Sequence, residues 1–196
     1  MAILLEPPAD LLTYEAFMAE PTVRGRCDIV QGVRVFQPEL NWRRQAIIGN
    51  FRHAFSGHRR CQSSRSVSSF DVLICRAPLQ IRQPDILLIS QDRLTLSGGP
   101  PEIGPPESRL LEIGPELVVE VMMDGQSEQT LRDKIADYRT VGVNECWTVR
   151  PDVGTVEVLI LTRGKTRSFA TYGEREIFSS LIFPGLGVPI ADVFAA

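Results

Sequence analysis

The chain has 196 residues, of which 43% are hydrophobic, 7% aromatic and 23% charged, and its formal net charge is −3. This length suits one domain spanning 1–196, and the small negative charge argues against binding nucleic acid over the whole surface. No apolar run reaches the length of a membrane span, and the first residues lack the basic start of a secretory signal. We therefore expect a cytoplasmic protein with no membrane partner, whose four scattered cysteines are reduced thiols.

The first part of the chain predicts four elements in order. They are a loose leader (1–12), a short helix (13–19), a hairpin (26–36) that turns at Gln31–Gly32, and a longer helix (41–57). The longer helix has apolar residues at helical spacing, which indicates one buried face. The residues assigned to that face are Trp42, Ile47, Phe51, Ala54 and Phe55.

The same helix lies in a basic segment of an acidic protein. No acidic residue occurs between Glu39 and Asp71. That segment contains Arg43, Arg44, Arg52, Arg59, Arg60 and Arg65, together with His53 and His58. A solvated basic face is the ordinary interpretation of such a helix, and contact with nucleic-acid phosphates is the alternative.

The remaining chain alternates strands and helices around one unusual loop. Seven glycines and prolines fall between Gly98 and Pro106, so residues 91–115 predict a long Pro/Gly-rich loop. The other predicted elements are strands at 67–74, 79–89, 117–122 and 145–149, a helix at 128–141, a hairpin of 153–162 with 168–172, and a tail at 191–194 that is irregular or a last helical turn. This order predicts an α/β (α+β) fold, with a mixed β-sheet core flanked by helices and a hairpin towards each end.

Two apolar runs rich in Ile, Leu and Val each carry one carboxylate. Asp85 stands near the start of Gln83–Ile89, and Glu120 lies inside Pro115–Met122. A carboxylate in a buried strand is destabilising unless a hydrogen bond, a cation or a metal ion compensates it. Neighbouring strands would bring Asp85 and Glu120 within reach of one divalent ion. The alternative is that each carboxylate caps a turn or pairs with an arginine.

Lys134 is one of only two lysines among 21 basic residues. It lies beside the predicted apolar stripe of the helix 128–141, and its compact amine has a tunable pKa that arginine lacks. Mg²⁺ held by carboxylates binds phosphate oxygens and retains water. Asp85 and Glu120 as ligands, Lys134 as the amine and Asp28 as a further acid therefore suit phosphodiester hydrolysis. The ordinary alternative for Lys134 is an amine that reaches solvent at the helix edge.

Pro84–Asp85 followed by Glu120 in a Leu-Val-Val-Glu-Val strand resembles the PD-(D/E)XK nuclease superfamily. Further segments, in the same order, are similar to its Uma-type branch of restriction-endonuclease-like proteins: Leu12–Phe17, Arg26–Gly32, Gln83–Ile86, Glu116–Val121, Lys134 with Tyr138, Gly142–Trp147 and Phe183–Leu186. The resemblance implies a restriction-endonuclease-like fold and a homodimeric, Mg²⁺-dependent DNA endonuclease, with Mn²⁺ as a substitute and no organic cofactor. It also implies that Lys134 supplies the amine from its helix, because Met122 holds the usual lysine position.

The chain departs from the pattern of this branch around the proposed ligands. Asp28 replaces a glutamate, and Arg44 replaces a histidine near the start of the basic helix. Further departures fall at Gln31, Val33, Met123 and Thr130. Because lost outer partners cost about one to two orders of magnitude in metal affinity or activity, the alternative function is a nuclease-fold protein that binds nucleic acid or a protein partner without cutting. A structural dimer module, with Asp85 and Glu120 paired to arginines, is a third possibility and predicts no metal affinity.

Overall fold

The computed structural model describes residues 11–20, 25–37, 41–57, 64–67, 70–96, 110–123 and 125–195. The helices in these ranges are α1 (Tyr14–Ala19), α2 (Trp42–Ser56), α3 (Gln91–Leu96), α4 (Glu128–Thr140) and α5 (Ile190–Phe194). The strands are β1 (Cys27–Val30), β2 (Val33–Phe36), β3 (Ser64–Val67), β4 (Asp71–Arg76), β5 (Leu79–Arg82), β6 (Ile86–Ser90), β7 (Leu110–Leu111), β8 (Leu117–Val121), β9 (Glu145–Arg150), β10 (Thr155–Thr162), β11 (Lys165–Tyr172), β12 (Ile177–Ser179) and β13 (Gly187–Pro189). Within the described ranges, no helix is both long enough and apolar enough to cross a membrane.

The strands form two larger sheets and one small one. The first sheet has the order β2-β1-β5-β4-β7, the second has the order β11-β10-β9-β8-β6-β3, and β12 pairs with β13. Only the pairs β4–β7 and β8–β9 are parallel in the described part of the chain. The chain passes from the first sheet to the second through the short segment Gln83–Asp85, which joins β5 to β6. Asp85 therefore lies at the junction of the two sheets.

The predicted mixed α+β fold and both hairpins are confirmed. The turn between β1 and β2 has positive φ at Gln31 (49°) and Gly32 (79°). Two successive residues with positive φ are typical of the tight turn whose twist matches a β-hairpin. The second predicted hairpin is β10–β11, although β11 already begins at Lys165.

Three predicted boundaries differ from the structure. The predicted strand 79–89 is two strands in different sheets, because Pro84 cannot donate a ladder hydrogen bond. The predicted strand 67–74 is likewise divided between β3 and β4. The predicted loop 91–115 contains α3 and β7 at its two ends, whereas its Gly/Pro-rich centre, 97–109, lies outside the described residues. Of the predicted leader, residues 1–10 lie outside them as well.

The second sheet is covered by a helix on each face. On one face, Phe51 and Phe55 of α2 pack on Trp147 with ring centroids 5.8 Å and 5.6 Å apart. On the other face, the apolar stripe of α4 packs on residues that include Val118 and Cys146. Alternation along β8 therefore directs Val119 and Val121 towards α2 and Val118 towards α4. Glu120 shares the α4 face with Val118.

The predicted buried face of α2 is corrected at one end. Trp42 was assigned to it but is 72% exposed, whereas Arg44 is 0% exposed. The buried residues of α2 are Arg44, Ile47, Ile48, Phe51 and Phe55. Their spacing is the ordinary i, i+3, i+4, i+7 pattern of a helix face, and Trp42 is out of phase with it.

Gly114 makes a close backbone contact that holds the end of α4 near the start of β8. A Cβ atom at this position would lie 2.3 Å from the carbonyl oxygen of Val141 and 2.9 Å from its carbonyl carbon. Backbone atoms cannot rotate away as a flexible side chain does, so any larger residue must displace the chain. The contact matters because β8 carries Glu120 and α4 carries Lys134.

Gly114→Ala is expected to lower the free energy of unfolding by about 1–3 kcal/mol, the usual effect of overpacking a rigid site. The matched control is Gly49→Ala in α2, where a Cβ atom meets nothing within 4 Å. That control should raise the free energy of unfolding by about 0.5–1 kcal/mol, since alanine favours helix over glycine. Urea denaturation followed by circular dichroism measures both, and equal effects at the two positions would contradict the role given to Gly114.

Candidate functional site

The predicted site residues Asp28, Asp85, Glu120 and Lys134 lie in one buried cluster. They come from β1, the segment before β6, β8 and α4, and all four side chains are almost completely excluded from solvent. The structure thus brings together residues that are far apart in the sequence. Their hydrogen-bond partners decide what chemistry the cluster can perform.

Asp85 is held by two arginines and one backbone amide. Arg26 Nη1 donates to Oδ1 at 2.7 Å, while Arg44 donates from Nε to Oδ1 at 2.9 Å and from Nη2 to Oδ2 at 2.8 Å. The backbone N–H of Val121 donates to Oδ2 at 2.8 Å. An ionised carboxylate has about four lone-pair positions, so these four bonds use the full acceptor capacity of Asp85.

These partners keep Asp85 ionised in the interior. Burial alone would raise the pKa of Asp85, but the charges of Arg26 and Arg44, with the N–H of Val121, hold that pKa below its usual value. Asp85 is therefore ionised near neutral pH and lies between two cations. The alternative left open by the sequence, in which Asp85 pairs with arginine, is the arrangement that the structure contains.

Glu120 is held by two side chains of α4. Lys134 Nζ donates to Oε2 at 2.7 Å, and the hydroxyl of Tyr138 donates to Oε1. Burial raises the pKa of Glu120; the Lys134 charge opposes this effect and the nearby Asp85 charge adds to it. Burial and the charges of Glu120 and Asp28 raise the pKa of Tyr138 well above 10, so the phenol stays protonated and acts as a donor.

Asp28 connects Lys134 to a third arginine, Arg82. Its Oδ2 accepts a hydrogen bond from Arg82 Nη1 at 3.2 Å and lies 3.8 Å from Lys134 Nζ. Its Oδ1 accepts from Gln37 Nε2 at 2.8 Å and from the backbone N–H of Gln83 at 2.9 Å. Asp28 thus accepts three hydrogen bonds and forms an ion pair with Lys134.

Sequence reasoning missed Arg26, Arg82, Asp137 and the polar role of Tyr138. Arg82 also donates from Nε to Asp137 at 2.7 Å, so it bridges two carboxylates. One signal was present in the sequence. Arg44 falls in phase with the apolar face of α2, which predicts that it is buried and paired.

The predicted nucleic-acid contacts have different outcomes. The prediction for Arg44 is wrong, because its side chain is buried against Asp85 and cannot reach a ligand surface. Arg43 is exposed and donates to the carbonyl oxygen of Pro151 at 2.6 Å, and Arg52 is exposed. Arg59 and Arg60 lie outside the described residues.

The cluster as it stands does not fit the Mg²⁺ ion that the resemblance implies. Both Asp85 oxygens are saturated, and both Glu120 oxygens accept hydrogen bonds from α4. Within the described ranges, no three His, Cys, Asp or Glu side chains are grouped so as to hold a metal ion. The ion pairs join four cationic and four acidic side chains with no net formal charge, namely Arg26, Arg44, Arg82, Lys134, Asp28, Asp85, Glu120 and Asp137. A divalent ion would add uncompensated charge to this buried site.

Asp85→Asn is expected to lower the free energy of unfolding by about 3–5 kcal/mol near pH 7, since it leaves two buried guanidinium groups without their carboxylate. The difference from wild type should shrink in acid. Because the pKa of Asp85 is lower in the folded chain than its unfolded value of about 3.9, ionised Asp85 stabilises the fold above that value. This stabilisation is lost as the pH falls through the lower folded pKa. Urea denaturation across this acidic range measures the effect. The exposed Asp152→Asn is the matched control, expected within about 0.5 kcal/mol of wild type, and a loss at Asp85 that does not diminish in acid would contradict the assignment.

Comparison with known proteins identifies the family. A family model, Uma2, described as "Putative restriction endonuclease", matches residues 14–191. No curated protein matches the chain. The fold is similar to a crystal structure described as "a putative nuclease belonging to DUF820" from Anabaena variabilis, with a TM-score of 0.74 and 19% identity over 93% of this chain and 97% of that chain. The predicted restriction-endonuclease-like fold is thereby confirmed, and the chain belongs to the Uma2 family of putative restriction endonucleases.

Proposed function

We propose that this chain is a nuclease-fold protein that binds the phosphate backbone of DNA without cutting it. The observation that supports the absence of cutting is the saturation of Asp85 by Arg26, Arg44 and the Val121 amide. Metal-assisted hydrolysis needs carboxylates that are free to hold the ion beside a water and the scissile phosphate. Here those carboxylates are engaged by the chain's own donors.

Binding to DNA is supported by the exposed side of α2. Arg43, Arg52 and His53 are exposed on this helix, with the two arginines at opposite edges of its buried face, and the helix has no acidic residue along its length. A cationic helix surface of this kind attracts phosphate groups and positions a protein on the backbone without reading bases. The opposite side of α2 is buried on the second sheet, so this basic surface is held in a fixed orientation.

Arg52→Ala is expected to weaken binding to a short fluorescent DNA duplex by roughly three- to tenfold, because it removes about one phosphate contact. The slope of log Kd against log salt should fall by about 0.9 for the same reason. Fluorescence anisotropy over a salt series measures both quantities. The matched control is Arg167→Ala, an exposed arginine of β11, and equal losses in the two variants would place the DNA elsewhere.

The second candidate is the Mg²⁺-dependent DNA endonuclease that the resemblance implies. The observation that favours it is the convergence of Asp28, Asp85, Glu120 and Lys134 in one cluster. This function requires both arginines to leave Asp85 before an ion can bind. The homodimer that the resemblance implies and the cytoplasmic location expected from the sequence are part of this second candidate. Sedimentation analysis tests the homodimer.

Supercoiled plasmid incubated with the purified protein and Mg²⁺ or Mn²⁺ distinguishes the two candidates. We expect wild type to nick or linearise the plasmid no faster than Asp85→Ala purified in the same way. The physical reason is that Asp85 has no acceptor capacity left for an ion. Cleavage by wild type that disappears in both Asp85→Ala and Lys134→Ala would support the endonuclease instead.

A further inference from the structure

We propose that the guanidinium groups of Arg44 and Arg26 stand in place of a divalent cation at Asp85, and that the resulting ion-pair cluster is a metal-free clamp between the two sheets. The proposal concerns how the acid cluster is neutralised. It goes beyond the DNA-binding function, because it holds whether or not the exposed side of α2 contacts nucleic acid.

The geometry of Arg44 is the first observation that supports the proposal. Its Nε and Nη2 atoms lie 2.9 Å and 2.8 Å from the two oxygens of Asp85, so one planar edge of the guanidinium covers the whole carboxylate. The third nitrogen, Nη1, has no hydrogen-bond partner among the described residues. Asp85 is therefore the group that orients this buried cation. An ion approaching the same carboxylate would meet the guanidinium plane.

The distribution of formal charge in the cluster is the second observation. Around Asp85, two arginines face one carboxylate, which leaves one excess positive charge. The adjoining ion pairs place two cations, Arg82 and Lys134, with three carboxylates, which leaves one excess negative charge. The two halves cancel. Removing the charges of Arg26 and Arg44 would leave two excess negative charges, which is the charge that one divalent cation neutralises.

The hydrogen bonds that join Asp85 to three elements of the fold are the third observation. Arg26 immediately precedes β1 of the first sheet, Arg44 belongs to α2, and the Val121 amide ends β8 of the second sheet. Arg26 also donates from Nη2 to the carbonyl oxygen of Gln83 at 3.1 Å, in the segment that joins the sheets. The clamp therefore supplies tethers from three elements. The tether from α2 depends on the two hydrogen bonds that Arg44 donates to Asp85.

The test is a titration of Mn²⁺ followed by electron paramagnetic resonance, with thermal unfolding in EDTA and in MnCl₂ as a second measurement. Wild type should bind no more Mn²⁺ than Asp85→Asn, and its Tm should be the same in both solutions. The double variant Arg26→Gln/Arg44→Gln should have a lower Tm in EDTA and recover part of it in MnCl₂. Its Mn²⁺ affinity should exceed that of wild type by on the order of a hundredfold, because two repelling charges have been removed.

Three further variants make the outcome specific. Adding Glu120→Gln to the double variant should abolish the gained Mn²⁺ affinity, because it removes the second carboxylate. Arg44→Lys keeps the positive charge but not the planar guanidinium, and this variant should bind no Mn²⁺. It therefore separates the effect of the charge from that of the side-chain shape. Arg167→Gln, an exposed arginine on β11, is the matched control and should leave both measurements at the wild-type values.

Two results would overturn the proposal. One is Mn²⁺ binding by wild type that Asp85→Asn abolishes, and the other is a folded double variant that gains no Mn²⁺ affinity. If the double variant does not fold even in MnCl₂, Arg44→Gln takes its place with the same two criteria. DNA anisotropy plays no part in this test, so the clamp and DNA binding can fail separately, whereas the absence of cutting rests on the same saturation of Asp85 and fails with the clamp.

Discussion

The fold depends on neutralising a group of carboxylates at the junction of two sheets. An unpaired ion in a protein interior is destabilising by several kcal/mol, and removing one partner of a buried pair exposes that penalty. Here Asp28, Asp85 and Glu120 each have at least one cationic neighbour and further hydrogen-bond donors. Arginine suits Asp85 better than lysine because its planar fork satisfies both oxygens from one side. The members of the cluster therefore constrain one another, and no single one can change alone without cost.

The position of Glu120 follows from the simplest regularity of a strand. Alternation along β8 directs Val119 and Val121 to α2, and Val118 with Glu120 to α4. Both faces of this strand are buried, as is typical of a strand that pairs in parallel and is covered by helices. The close contact of Gly114 with Val141 then holds the end of α4 near the start of β8, and Lys134 of α4 lies beside Glu120 of β8. Local sequence pattern and one backbone contact thus contribute to the position of this half of the cluster.

For that reason the sequence predicted one half of the cluster much better than the other. The apolar run of β8 and the periodic stripe of α4 are local signals, and they place Glu120 in a buried strand and Lys134 on the helix beside it. The partners of Asp85 depend instead on how α2 and the start of β1 pack against the segment Gln83–Asp85. The periodicity of a single element contains no information on how separate elements pack together. The helix phase did indicate a buried Arg44, but including Trp42 in the apolar face obscured it. Pro84 similarly marked the division of the predicted strand 79–89, since proline interrupts a ladder.

Membership of the Uma2 family and a cluster that does not fit Mg²⁺ as it stands are compatible, because fold and function are separable at the level of single side chains. The resemblance given by the sequence places a histidine of the Uma-type pattern where this chain has Arg44. A neutral imidazole offers a lone pair to a metal or a hydrogen-bond donor, whereas a guanidinium offers only donors and a permanent positive charge. That one difference lowers the number of potential ligands and raises the local charge together. Both changes act on Asp85, and they are consistent with the proposed clamp, in which the predicted residues remain assembled around a carboxylate held by arginines.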